Sequence, residues 1–292
     1  MSRRDGWIAV LAAILWGFNL TVGKIGVGIV PPLIFCALRF LIAAALIVPF
    51  YRIERHYWRD IFILSVCLGT GHFGLLFIGL EGVDSATAAI ILQLGVPLSI
   101  ILSWLVYKET FGWRRSCGMC LALMGIIYLA GEPHHVSFTY FIALIGCTFF
   151  WAWSNIIIKR LSNVNPFAIA GWLSFLATPQ LLLLSLTFES GQVDAIMNGG
   201  WPLLVTLLYT AIAASIIAHG TWYGLIQRYP VNVVVPFGML IPIIGVSAGL
   251  LILSEPLTLQ KIIGGTLTLV GVGIIQWRLA SQATAKRSYN GT

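Results

Sequence analysis

Charge is what this chain most lacks. Only 9% of its 292 residues are Asp, Glu, Lys or Arg, against 59% apolar, and the mean hydropathy is +0.93. No water-soluble core needs that much apolar surface, so water is excluded as the main solvent. Acidic residues number ten, and none lies midway along an apolar run. That gives proton exchange through a buried carboxylate little support and leaves no carboxylate pair for acid–base catalysis. The five cysteines all lie inside apolar runs, and an odd, buried set makes no disulfide framework. Cys117 and Cys120 have zinc or redox spacing, but no second ligand pair accompanies them. There is no Gly-x4-Gly-Lys-[Ser/Thr] loop, so ATP does not drive this protein directly. Short alternating segments are absent too, which excludes a membrane barrel.

What remains is apolar run after apolar run. A hydrocarbon core of about 30 Å takes about 20 helical residues to cross. Ten such stretches are present, at 7–29, 33–51, 60–80, 85–107, 113–131, 137–159, 166–188, 201–227, 231–253 and 261–278. Their links are too short to hold a soluble domain. Met1-Ser2-Arg3-Arg4-Asp5 precedes a run longer than a signal-peptide core, with no small-residue cleavage site after it, so the first stretch reads as an uncleaved helix. The net charge of +7 reflects topology rather than nucleic-acid binding. With the N-terminus in the cytoplasm, fourteen of the seventeen basic residues fall on the inner side; Lys261 is outside, and Lys24 and Arg39 lie within spans. The positive-inside rule then puts both termini in the cytoplasm.

A signature occurs twice. Glu109-x8-Gly118-x6-Gly125 in the first half returns as Glu255-x8-Gly264-x6-Gly271, with Pro97 and Pro242 preceding the two glutamates by 12 and 13 positions. Trp16-Gly17-Phe18-Asn19 before Lys24 is echoed by Trp151-Ala152-Trp153-Ser154-Asn155 before Lys159, and His72 in span three by His219 in span eight. The turn-rich stretch after Gly131 separates repeats of five spans each, residues 1–131 and 132–280, followed by a polar tail at 281–292. An odd number of spans per repeat inverts the second copy relative to the first, an arrangement characteristic of transporters. The expected fold is therefore an all-α membrane protein of ten transmembrane helices in a 5+5 inverted repeat.

These features resemble the EamA-type members of the drug/metabolite transporter superfamily. The resemblance covers essentially the whole chain and rests on the paired Pro…Glu and glycine signatures. It implies a bacterial inner-membrane carrier, commonly an exporter of amino acids or related metabolites. Spans one to four and six to nine would then surround the path, and spans five and ten would brace it. Its partners are a small-molecule substrate and the bilayer, and nothing points to a cofactor, a metal or a nucleic acid. A membrane-embedded enzyme and a structural subunit are the competing readings, but the intramembrane cations favour transport.

Arg39 and Lys24 are the cations inside spans, where charge is costly enough to point to a role. Arg39, with Lys24 behind it, is expected to attract a substrate carboxylate. The structural alternative has Lys24 reaching to the interface and Arg39 holding backbone carbonyls. Trp16 with Asn19, and Trp151 with Asn155, share helix faces and read as pocket walls or as interhelical packing; Trp153 can replace Trp151 as the inward ring. His72 and His219, Gln93 one turn before Pro97, and Trp222 and Tyr223 one turn after His219 complete the candidate site. Pro97 and Pro242 suit hinges, and Gly118, Gly125, Gly264 and Gly271 suit close helix packing. Glu109 and Glu255, at span ends beside Arg114 and Lys261, are expected to anchor hairpins, with proton coupling the competing role. Gly245-Val246-Ser247-Ala248-Gly249 fits a hydrolase pattern but lies inside an apolar helix, where it reads as packing.

Overall fold

The computed structural model describes residues 1–108, 112–131, 138–229 and 231–289, and these contain helices and no strand. In chain order the main helices are α1 (Arg3–Val27), α2 (Pro32–Ile47), α3 (Arg55–Gly82), α4 (Ser85–Ile91 continuing to Gly95–Tyr107), α5 (Trp113–Ala130), α6 (Phe138–Arg160), α7 (Pro166–Phe188), α8 (Gly200–Leu208 continuing to His219–Arg228), α9 (Leu240–Ile252, led in by Val231–Val234 and Val235–Met239) and α10 (Leu259–Tyr289). Eight of them are long and apolar enough to cross a membrane. The other two are α5, weakened by its opening Trp113-Arg114-Arg115, and α9, whose apolar stretch Phe237–Ile252 is shorter. Most of the polar tail continues α10 to Tyr289, because its Ala, Gln, Lys and Arg are good helix formers even without an apolar face.

Both halves depart from regular α-helix in the same places. Ten residues of α3 (Ser65–Gly74) and ten of α8 (Tyr209–Ala218) wind as π-helix. A tight 3₁₀ turn interrupts α4 at Leu92–Leu94 and α9 at Val235–Met239. Pro97 and Pro242 each stand third in the α-helical segment that follows. A proline ring collides with the carbonyl four residues back, and in both helices that carbonyl belongs to the tight turn, which absorbs the clash. Each helix is followed by a left-handed residue, Lys108 (φ 57°) or Ser254 (φ 54°), directly before Glu109 or Glu255.

Helices α2 and α7 pack together, as do α1 with α8 and α9, and α6 with α3 and α4. The pair α5–α10 packs mainly on itself and meets the rest through α4 and α9. Glycine makes that pairing possible: a Cβ on Gly264 would lie 2.7 Å from the carbonyl oxygen of Gly125, and one on Gly118 would lie 2.7 Å from that of Gly271. The two backbones touch, leaving no room for a side chain.

The two ends of the bundle differ. At one end α1 seals against α3 and α4: Thr21 Oγ1 is 3.5 Å from Ser85 Oγ, Gly23 lies against Phe77 and Leu80, and Lys24 Nζ donates to the carbonyls of Leu80 (2.7 Å) and Glu81 (3.1 Å). At the other end, among the described residues, α6 makes no comparable run of contacts with the ends of α8 and α9, although Ile158 joins the apolar cluster there.

Candidate functional site

Arg39 sits at the centre, on the face of α2 turned into the bundle, and its side chain is completely buried. Its Nε donates to Ser215 Oγ (2.9 Å), and that hydroxyl donates in turn to the Thr210 carbonyl (2.9 Å), five residues back in the π-helical stretch of α8. Three rings enclose the guanidinium carbon, with centroids at 4.5 Å for Phe73 and 5.3 Å for Phe40 and Phe77. Among the described residues, neither terminal nitrogen has a hydrogen-bond partner and no carboxylate pairs with the charge. Aromatic faces attract a cation, but they do not satisfy its N–H groups.

A row of rings crosses the bundle beside Arg39. Trp222 meets Trp16 (5.1 Å between centroids), Trp16 meets His219 (4.8 Å), His219 meets Phe73 (5.8 Å), Phe73 meets His72 (4.7 Å) and His72 meets Trp151 (5.1 Å). Tyr223 flanks His219 at 5.8 Å. Both histidines are tethered through Nδ1, His72 to the Cys147 carbonyl (2.9 Å) and His219 to the Ala214 carbonyl (2.7 Å). A carbonyl only accepts, so Nδ1 donates in both bonds, and on a neutral ring Nε2 is then the acceptor. Trp16 Nε1 lies 3.3 Å from the Ala214 carbonyl and donates to it as well. The histidines are one turn out of register within their halves: His72 lies inside the π-helical stretch of α3, whereas His219 follows that of α8.

The remaining candidates separate. Trp151 faces inward against His72, while Trp153 is 38% exposed, because two positions carry a side chain about 200° around a helix. Asn19 is buried with its Oδ1 unpaired, and Asn155 is exposed with Nδ2 3.4 Å from Ser99 Oγ, so the two amides do not converge. Gln93 is half-buried in the tight turn of α4. Lys24 does not stand behind Arg39: its ammonium closes the last carbonyls of α3. Nor does Arg39 hold backbone carbonyls; its partner is the Ser215 hydroxyl.

Glu255 anchors the turn before α10, but not through Lys261. Its carboxylate accepts from the backbone N–H groups of Ser85 (2.7 Å) and Ala86 (2.9 Å) at the start of α4, where unpaired amides and the positive end of the helix dipole favour an anion. Lys261 Nζ pairs instead with Asp84 (2.5 Å). Glu189 does the same for α2, accepting from Leu33 (2.6 Å) and Ile34 (3.1 Å). Glu109 lies outside the described residues. Among those described, no three His, Cys, Asp or Glu side chains gather as a metal would require. A cavity of about 20 Å³ lies beside the Arg39 cage, lined by Phe40, Phe73, Leu173, Ser215, His219 and Tyr223 among others.

A buried, unpaired cation among rings, inside a duplicated helical bundle, suits a carrier's central site. The EamA-like transporter family matches this chain at residues 6–131 and again at 138–277. The chain belongs to that family. It is a multi-pass membrane protein, a transporter with a small-molecule substrate such as a metabolite. Two relatives carry the name "Probable amino-acid metabolite efflux pump". The one from Salmonella typhimurium (strain LT2) is 27% identical over 99% of this chain and 100% of its own length; that from Escherichia coli (strain K12) is 27% identical over 96% and 98%. A crystal structure only 19% identical superposes with a TM-score of 0.66 over 97% of this chain and 99% of the other, so the fold is shared.

Proposed function

We propose that this EamA-like protein is a secondary carrier of the bacterial inner membrane that exports an amino acid or a closely related metabolite by alternating access. Arg39 is the observation that carries the reading. A completely buried guanidinium with two unpaired terminal nitrogens calls for a carboxylate, and the substrate is the natural source. The neutral Nε2 acceptors of His72 and His219 and the faces of Trp16 and Trp151 suit the ammonium or side chain of the same molecule. The names of the two efflux-pump relatives support this choice of substrate. Purified protein in liposomes should move radiolabelled amino acids without ATP; no movement across a broad panel of amino acids would sink the proposal and favour an enzymatic or structural role.

In this reading the chain crosses the membrane ten times as two inverted repeats, residues 1–131 and 132–280, with both termini in the cytoplasm. The recurrence of the π-helical stretches, the tight turns and the left-handed residues in both halves supports the duplication. The distribution of basic residues supports the orientation. A phosphatase fusion after Thr292 should be silent and a fluorescent-protein fusion bright; the reverse pattern would remove the inverted-repeat argument along with the topology.

With that orientation the end sealed by Lys24 is the outer one, and the conformation is closed to the outside. Lys24 then acts as a latch. Its two charge-assisted bonds are each worth about 1.5–3 kcal/mol. Lys24→Met should therefore favour the outward-open state by roughly tenfold or more. In a background without native cysteines, labelling of Asn19→Cys from the outside should rise accordingly. Unchanged labelling would show that Lys24 does not hold the gate.

A further inference from the structure

The first helix of each half sits against the other half. Helix α1 packs on α8 and α9, and α6 packs on α3 and α4. The paired tryptophans mark the exchange: Trp16 of α1 meets His219 of α8, and Trp151 of α6 meets His72 of α3. The molecule therefore has two groups of helices that correspond by the duplication, α1 with α8 and α9, and α6 with α3 and α4. The Lys24 contact joins one group to the other, since it leaves α1 and closes the last carbonyls of α3. Its counterpart in the second half runs from α6 to the end of α8.

Both parts of that counterpart are present. Lys24 follows Trp16 by eight positions, and Lys159 follows Trp151 by eight. Helices α3 and α8 end on the same cap: Val83 (φ −125°, ψ 144°) gives its N–H to the Gly79 carbonyl, and Tyr229 (φ −124°, ψ 152°) gives its own to that of Leu225. In α3 the next two carbonyls, Leu80 and Glu81, are the pair that Lys24 binds. Counted from the cap, their counterparts in α8 are Ile226 and Gln227. Residue 230 is proline and has no N–H, so the helix cannot supply the Ile226 carbonyl with its usual donor four residues on. A cation from another helix suits a carbonyl there, and the negative end of the helix dipole adds to the attraction. The neighbouring cations are directed elsewhere. Arg160 faces Asp60 near the start of α3 (4.0 Å), within its own group of helices. Arg228 donates to the Gly224 carbonyl of its own helix (3.0 Å) and lies 3.5 Å from Asp5 of α1.

We propose that Lys159 is the positioning residue of the opposite gate. When the carrier closes the end away from Lys24, the Lys159 ammonium donates to the carbonyls of Ile226 and Gln227, as Lys24 donates to those of Leu80 and Glu81 in the present state. This rests on the alternating-access reading and extends it by naming what holds the outward-open state. In an inverted repeat α1 and α6 cross the membrane in opposite senses, so the two lysines serve opposite ends. Each is engaged in one state and released in the other. The cycle then exchanges one set of charge-assisted bonds for another of the same kind, which keeps the two states close in energy. A single latch would hold the carrier in one of them.

The test uses the full chain without native cysteines in right-side-out membrane vesicles, with Asn19→Cys labelled from outside by a membrane-impermeant maleimide. In the Lys24→Met protein, where this labelling is raised, adding Lys159→Met should lower it by about tenfold. Adding Lys159→Arg instead should leave it raised, because a guanidinium also donates to carbonyls. Pro230→Ala gives residue 230 an N–H for the Ile226 carbonyl and should act in the same direction as Lys159→Met, more weakly. That variant keeps the test open where Lys159→Met gives too little protein. A lysine with only a structural role would change yield without opposing the effect of Lys24→Met. Amino-acid uptake into liposomes, measured separately, checks the carrier reading itself. Transport combined with labelling that Lys159→Met and Pro230→Ala leave unchanged or raise overturns the second latch and leaves the carrier standing. Absence of transport overturns the carrier reading and the latch with it.

Discussion

Replacing Glu255 by alanine should lower the stability of the folded protein by about 2–5 kcal/mol, since each buried amide left without an acceptor costs about 1–3 kcal/mol. Two such amides depend on this carboxylate, those of Ser85 and Ala86, and a side chain only 9% exposed leaves water little access to replace it. Glu255→Gln keeps one acceptor oxygen and should recover part of the loss. The carboxylate joins the turn between α9 and α10 to the first turn of α4, beside the Lys261–Asp84 pair. Loosening it therefore weakens the same end of the bundle that Lys24 seals. Thermal unfolding in detergent, read alongside the pH profile of transport, separates the two roles proposed for this residue. A normal melting temperature combined with a lost pH response would make Glu255 a proton-coupling group and not an anchor.

That anchor shows what a sequence does and does not reveal. The paired Pro97/Pro242 and the glycines Gly118, Gly125, Gly264 and Gly271 were legible, because backbone approach and missing amides impose residue types at fixed spacing. Glu255 was legible as an anchor but not its partner. Lys261 is the nearest cation to this carboxylate along the chain, whereas the amides that hold it have no signature in the residue types of Ser85 and Ala86. Nothing along the chain marks Glu189 apart from its place at a span end, the same signal that drew attention to Glu255.

The centre was legible by residue type more than by geometry. Arg39, His72, His219, Trp16, Trp151, Trp222 and Tyr223 stand out as polar or aromatic groups in apolar helices, and ring contacts join them: Arg39, His72 and His219 each meet Phe73, Trp151 meets His72, Trp16 and Tyr223 meet His219, and Trp222 meets Trp16. Ser215 did not stand out, since it lies 176 positions from Arg39 and one serine in an apolar run carries no signal. Phe40, Phe73 and Phe77 read as ordinary packing. Lys24 and Trp153 resembled site residues in type but are directed elsewhere, Lys24 to the end of α3 and Trp153 to the bundle surface.

Arg39→Ala should abolish measurable transport while leaving a folded protein. The alanine removes the one buried cation of the cage, and losing one member of a buried, hydrogen-bonded charge pair costs about 2–5 kcal/mol. That corresponds to roughly 30- to 4000-fold in substrate affinity. Folding should suffer less, because the removed group is a charge lacking a protein counter-ion, and its loss leaves the Ser215 hydroxyl still bonded to the Thr210 carbonyl. Arg39→Lys should restore only part of the activity, since an ammonium supplies the charge but not the planar fork that meets both carboxylate oxygens. The contrast with an amino-acid amide sharpens the test: the amide should compete poorly with the wild type, and Arg39→Ala should erase the difference between acid and amide. If Arg39→Ala transports amino acids at the wild-type rate, the guanidinium is structural and the carboxylate is recognised elsewhere.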